Sequence, residues 1–188
     1  FQVFTPSKAG GWTADLHNPG DLIENQGQYS ALFSGFSGNV QYVIDYGFGW
    51  QAGLGDAGAK ILIRTVEKSR EKEENGPEIK NQTIRSQQIT ADWIGLSATA
   101  KWEAVSPSDA YYTYSDEVKG ETRNFDAVPA FGEVWLRDAW QGIDIQYKSP
   151  KAGGLKYTIF LEPGADLSRV KLQYEGGNVR LDQDGNLR

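Results

Sequence analysis

The sequence predicts an all-β fold, an antiparallel β-sandwich of two packed sheets with little helix. Three observations carry this. Short runs of β-branched and aromatic residues alternate with polar ones at a period of two, which puts one face of each strand on a core. Gly, Pro and Asp cluster between the runs, where positive φ and preset φ make turns. The runs recur about every 8–12 residues, the spacing of sandwiches and barrels.

Taken in order, residues 1–21 are Gly-rich and irregular, and the first clear strands are 40–44 and 60–64. Residues 88–93 alternate only in part. Between them, 67–74 has helical propensity but no apolar stripe, and Asn75-Gly76-Pro77 ends it. We read it as a solvated hairpin tip or loop, with a short helix as the lesser alternative. Later strands alternate cleanly: Val134 with Leu136; Ile143, Ile145 and Tyr147; Leu155, Tyr157, Ile159 and Leu161; Val170, Leu172 and Tyr174. Residues 143–147 and 155–161 are expected to pair as an antiparallel hairpin across the 149–154 turn. Leu155, Tyr157, Ile159 and Leu161 then point inward, and Lys156 and Thr158 outward. Val179 to Leu181 reads as a strand entering a turn at Asp184-Gly185, with its return strand barely begun. That strand is expected to present an open edge. The whole, 1–188, reads as a single β-rich domain and a fragment of a longer protein.

Composition narrows the function. The chain has 188 residues, 25 acidic against 19 basic side chains, one His and no Cys. A domain of this size buries a core without disulfides or structural metals. The lack of Cys excludes thiolate metal sites and a Cys nucleophile. One His excludes two-His zinc sites. A net charge of -6 argues against a nucleic-acid partner. No apolar run reaches the length of a membrane span. The chain opens on Phe1 and contains no Met. Removal of a leader on export is the expectation, with trimming by other means as the alternative.

Several segments together resemble a known family. Leu22-Ile23-Glu24-Asn25-Gln26-Gly27-Gln28 is similar to its opening motif. Val128-Pro129-Ala130-Phe131-Gly132-Glu133-Val134, Trp140-Gln141-Gly142-Ile143-Asp144-Ile145-Gln146-Tyr147, the run from Leu155 to Pro163-Gly164-Ala165-Asp166, and Val170 to Gly176 follow in the same order. The family is the N-terminal domain of unknown function of large secreted bacterial proteins. Those proteins carry SBBP-type repeats, PKD or other immunoglobulin-like domains, and type IX sorting signals. The resemblance runs from Leu22 to the end. It implies location and architecture, and no chemistry.

Candidate sites stand against plainer readings. Asp144 points away from the Ile143/Ile145 face and reads as a strand or cap residue. Asp166 reads as an Asx-type turn closure. Asp182, Asp184 and Asn186 have the alternate spacing that converges oxygens on calcium. A hairpin turn explains the same residues, and no other cofactor is expected. Twenty-five carboxylates permit a glycosidase pair, but nothing selects one. His17 has no Ser elbow beside it and reads as a turn histidine. The binding candidates are aromatic: Trp135, Tyr112 and Tyr114, whose rings could stack on sugars. The competing reading makes most of the six tryptophans core residues.

The leading functional expectation is a non-enzymatic extracellular or cell-surface module, structural or adhesive. Its partners would be later domains of the parent chain or neighbouring subunits, met through an open edge strand. The alternatives are a carbohydrate-binding module and, behind it, a glycoside hydrolase.

Overall fold

A computed structural model describes residues 2–6, 12–14, 20–36, 38–46, 49–72, 78–118, 121–150 and 153–185. Among these, all regular structure is strand, apart from one 3-10 turn at Leu167–Arg169. The all-β expectation therefore holds. The strands are β1 (Gln2–Pro6), β2 (Trp12–Ala14), β3 (Leu22–Glu24), β4 (Val40–Asp45), β5 (Trp50–Gly55), β6 (Gly58–Lys72) and β7 (Glu78–Trp93). They continue as β8 (Lys101–Val118), β9 (Glu121–Trp140), β10 (Ile143–Lys148), β11 (Lys156–Leu161) and β12 (Leu172–Glu175).

All pairings are antiparallel, and they run β12-β7-β6-β5-β4-β3-β9-β8-β1-β2. The twenty-residue β9 is shared. Its middle pairs with β3 at Phe131 and Ala130, and its C-terminal part pairs with β10 from Glu133 to Trp140. β10 in turn carries β11. Bulges let so long a strand bend between two sets of neighbours. Ser106, Ala127 and Asp138 adopt positive φ, and register shifts lie at or near each of them.

One core joins the two halves. Leu22, Ile44, Leu54, Ala91 and Trp93 from the β3–β7 side pack with Val134, Leu136, Trp140, Ile143, Ile145 and Tyr147 from β9 and β10. A second core lies on the other face of the sheet. There Ile23, Val43, Tyr112, Tyr114, Val128 and Ala130 are covered by Tyr29 and Phe33 from the loop after β3. Close approach requires Gly53 at that point. A Cβ on it would lie 2.8 Å from Val40 Cγ1 and 3.1 Å from the Phe33 ring.

The β10–β11 hairpin forms in the expected register, with Ile145 opposite Ile159 and Tyr147 opposite Tyr157. Leu155 and Ile159 pack on the core and Lys156 is exposed. Leu161 departs from the inward set: it is 45% exposed, and Tyr157 is 40% exposed. Both lie on an edge strand, where Tyr157 is only partly covered, by Trp93 and Tyr147.

Three further expectations change. Residues 67–72 continue β6 as a strand paired with β7 out to Lys72 and Glu78, so the helix alternative fails. Residues 73–77 lie outside the described residues. The N-terminal segment is not wholly irregular, because β1 and β2 form a hairpin and β1 pairs with β8. The final strand is β12, not 179–181. The chain leaves β7 at Gly176, whose φ is +87° and whose Cβ position would collide with the Gln88 carbonyl. Beyond it Val179 lies outside any strand, Leu181 makes a single bridge, and both are exposed. The turn at Asp184-Gly185 does form, with Gly185 N–H donating to the Asp182 carbonyl.

Candidate functional site

Three places on the domain concentrate chemistry. The first is a loop latch over the second core. Asn25 Nδ2 donates to the Val40 carbonyl at 2.8 Å. Its Oδ1 accepts the Gly27 and Tyr29 N–H groups at 3.1 and 3.2 Å. Gln28 reaches back, donating to the Glu24 carbonyl at 2.7 Å and accepting from Gln26 N–H at 2.8 Å. The Glu-Asn-x-Gly-Gln pattern is thus a loop-closing device, with side-chain amides doing what a ladder would do elsewhere.

The latch delivers Tyr29 into a buried polar network. Tyr29 OH donates to Asp45 Oδ2 at 3.1 Å and shares a 2.9 Å hydrogen bond with Tyr114 OH. Gln51 Nε2 donates to Asp45 Oδ1 at 3.0 Å, and Arg64 donates to Gln51 Oε1 at 2.6 Å. Alongside, Asp21 accepts from Ser108 Oγ and Tyr112 OH, each at 3.1 Å. Burial pushes the Tyr29, Tyr112 and Tyr114 phenols far above their ordinary range, and raises Asp21 despite its two donors. Phenols so held stay protonated donors and cannot act as bases at neutral pH. A cleft of about 520 Å³ opens beside the latch, bordered by Glu24, Asn25, Phe33, Phe36, Asn39 and Tyr42.

The second place is the outer face of β8–β11. Asp144 Oδ1 accepts Asp138 N–H at 2.8 Å, which holds the β9 bulge where φ is +52°. Its Oδ2 accepts from Arg137 at 2.9 Å, and Arg137 also pairs with Glu103 at 2.5 Å. The Arg137 guanidinium lies 3.9 Å from the Trp135 ring centroid, a cation–π contact. Phe160 lies 4.7 Å from the same ring, and Trp135 Nε1 donates to Glu133. Lys148 completes the patch with a 3.1 Å ion pair to Glu133.

The third place is an apolar slot between the edge strands β11 and β12. Ala59, Trp93, Tyr147, Tyr157, Leu172 and Tyr174 border about 130 Å³. Trp93 Nε1 donates to Tyr147 OH at 2.5 Å, and Trp93 meets Tyr157 edge-on at 5.1 Å. Burial, and then the nearby Tyr157 phenol, raise the Tyr174 hydroxyl above its ordinary range.

The predicted site residues do not meet in one site. Tyr112 and Tyr114 are 1% and 7% exposed, so their rings are core and cannot stack on a sugar. Tyr114 OH meets the buried Tyr29 and Tyr112 OH the half-buried Asp21, and that network left no local signal in the sequence. Trp135 is partly exposed, but Arg137 covers one face. Trp93 and Trp140 are buried, while Trp50 and Trp102 pack against the core. Asp166 closes its turn as expected, accepting Ser168 N–H at 3.0 Å and Ser168 Oγ at 2.7 Å. Those bonds hold its carboxyl below the usual range. Asp182 Oδ1 accepts Asp184 N–H at 3.0 Å and so closes the turn. Asn186 and His17 lie outside the described residues. Among the described residues no cluster of three or more His, Asp or Glu side chains could hold a metal. None of their helices is long and apolar enough to cross a membrane.

No curated protein and no solved structure matches the chain. Three of the segments that suggested a family build the latch, the bulge brace and the Asp166 cap. A family model matches them together over residues 22–188, and the chain belongs to that family, described as Domain of unknown function (DUF7948).

Proposed function

We propose that the domain is a non-enzymatic structural and adhesive module of an exported or cell-surface bacterial protein, and that it works by associating through open strand edges. One observation carries this. Among the described residues β11 is an edge strand, paired with β10 alone, and it exposes Tyr157, Phe160 and Leu161 at 40, 44 and 45%. Natural edges are blunted with charge, Pro or bulges. The central part of β11 has none of these, which suits an edge meant to be covered.

The carboxylates support the same reading. Asp45, Asp21, Asp144 and Asp166 each accept hydrogen bonds that fix the fold. The partners in this reading are neighbouring subunits and the later domains of the parent, which the resemblance describes as secreted and sorted to the surface.

The test uses the full-length parent in its own cells. Surface protease should remove it from intact cells, and deletion of residues 22–188 should abolish surface attachment. An intracellular, protease-protected protein would overturn the proposal. So would turnover of a polysaccharide or peptide that a single carboxylate substitution abolishes.

A further inference from the structure

We infer that β11 pairs with β11 of a second copy of this chain, antiparallel and centred on Ile159. The inference rests on the edge-association reading and adds to it the partner and the register.

The ladder sets the register. Glu162 N–H donates to the Gly142 carbonyl at 2.9 Å, and the β10–β11 pairs continue from Ile143 opposite Leu161 to Lys148 opposite Lys156. In an antiparallel ladder alternate residues direct their backbone groups to the same neighbour. Thr158, Phe160 and Glu162 therefore face β10. Tyr157, Ile159 and Leu161 direct their N–H and C=O groups to the open side. Two copies of that open side form hydrogen-bonded pairs when Ile159 lies opposite Ile159 and Tyr157 opposite Leu161.

The side chains agree with this register. On the core side, Tyr157 of each copy lies beside Leu161 of the other, which covers two of the exposed apolar residues of this edge. On the outer side, Thr158 lies beside Phe160, the third. At each end Lys156 lies opposite Glu162, so the two-fold axis makes two opposite-charge pairs from one of each residue. Lys156 and Glu162 are both exposed in the single chain. A self-complementary patch of this kind is the requirement of an isologous dimer. β12, the edge at one end of the long β12-to-β2 run, is four residues long and presents Gln173 and Glu175 exposed. It has the character of a protected edge.

The experiment is sedimentation velocity of the folded domain from about 5 to 500 μM, the range in which a small interface associates. The wild type is expected to show a reversible monomer–dimer equilibrium. Lys156→Glu sets two like-charge pairs in place of two attractive ones, and should raise the dissociation constant about 10- to 30-fold. Glu162→Lys should do the same. The double variant, Lys156→Glu with Glu162→Lys, exchanges the partners and should restore the wild-type constant. Both positions are solvent-exposed, and equal melting temperatures of all four proteins confirm that folding is unaffected. A wild type that stays monomeric overturns the inference, as does a dimer indifferent to the single reversals, or a double variant no better than either single one. A monomeric domain whose deletion still abolishes surface attachment would sink the dimer alone. A dimer whose deletion leaves attachment intact would sink the surface role alone.

Discussion

Replacing Asn25 with Ala should unlatch the loop that covers the second core. The side chain makes three hydrogen bonds, to the Val40 carbonyl and from the Gly27 and Tyr29 N–H groups. Each such bond contributes about 0.5–1.5 kcal/mol net. The site is part-buried, so water replaces some of what is lost, and the expected cost is about 2–3 kcal/mol. Asn25→Asp keeps Oδ1 and the two N–H bonds but loses the donor to Val40, and it sets a carboxylate against that carbonyl. It should cost about 1–2 kcal/mol. Urea unfolding followed by tryptophan fluorescence measures both. Hydrogen exchange locates the damage, since the Tyr29 amide should lose protection first while amides in β9 and β10 keep theirs. A cost below about 0.5 kcal/mol for Asn25→Ala, or unchanged protection at Tyr29, would refute the latch.

Two further outcomes follow from the same geometry. Asp144→Ala removes both the brace on the Asp138 bulge and the Arg137 ion pair, and should cost about 1–2 kcal/mol in thermal unfolding; Asp144→Asn keeps the brace and should recover about half, so equal losses would discount the brace. In alkali, Tyr29, Tyr112, Tyr114 and Tyr147 are held protonated by burial. Their folded pKa values lie above the unfolded value of about 10, so above that pH the unfolded state releases protons the folded state keeps. Stability is then unaffected by them below about pH 10 and falls above it, by up to ~1.4 kcal/mol per pH unit for each phenol. Absorbance at the phenolate band should rise for these four only as the protein unfolds, and early ionisation of all nine tyrosines in the folded state would contradict their burial.

What was legible in the sequence was the periodic part. Ile143, Ile145 and Tyr147 alternate without interruption, and all three are buried to within 2%. The hairpin to β11 followed from matched alternation and a turn of Gly and Pro. Where bulges break the period, pattern alone fails. Tyr112 and Tyr114 lie beside register shifts in β8, and nothing near them shows that Asp21 and Tyr29, 91 and 85 residues away in the chain, receive their hydroxyls. The 67–72 stretch was ambiguous for another reason. Its charges fit a helix by propensity, but Ile61, Ile63 and Val66 on β6 face Ile89, Gln87 and Ile84 on β7, and the ladder simply continues outward from the sheet. Tertiary pairing overrides a weak local preference.

Three of the motifs that carry the family resemblance have one physical feature in common. Each of the three places an amide or carboxylate where the backbone departs from regular pairing. Asn25 and Gln28 close the loop after β3, Asp144 holds the β9 bulge, and Asp166 caps the 3-10 turn after β11. Buried or strained backbone groups must find partners, and irregular backbone can find them only in side chains of fixed type at fixed offset. Core positions ask merely for an apolar residue of suitable volume. A sequence signature built from such polar residues therefore describes the joints of a fold, and the β11 edge proposed to meet a second copy is positioned by those joints without being part of the signature's polar set.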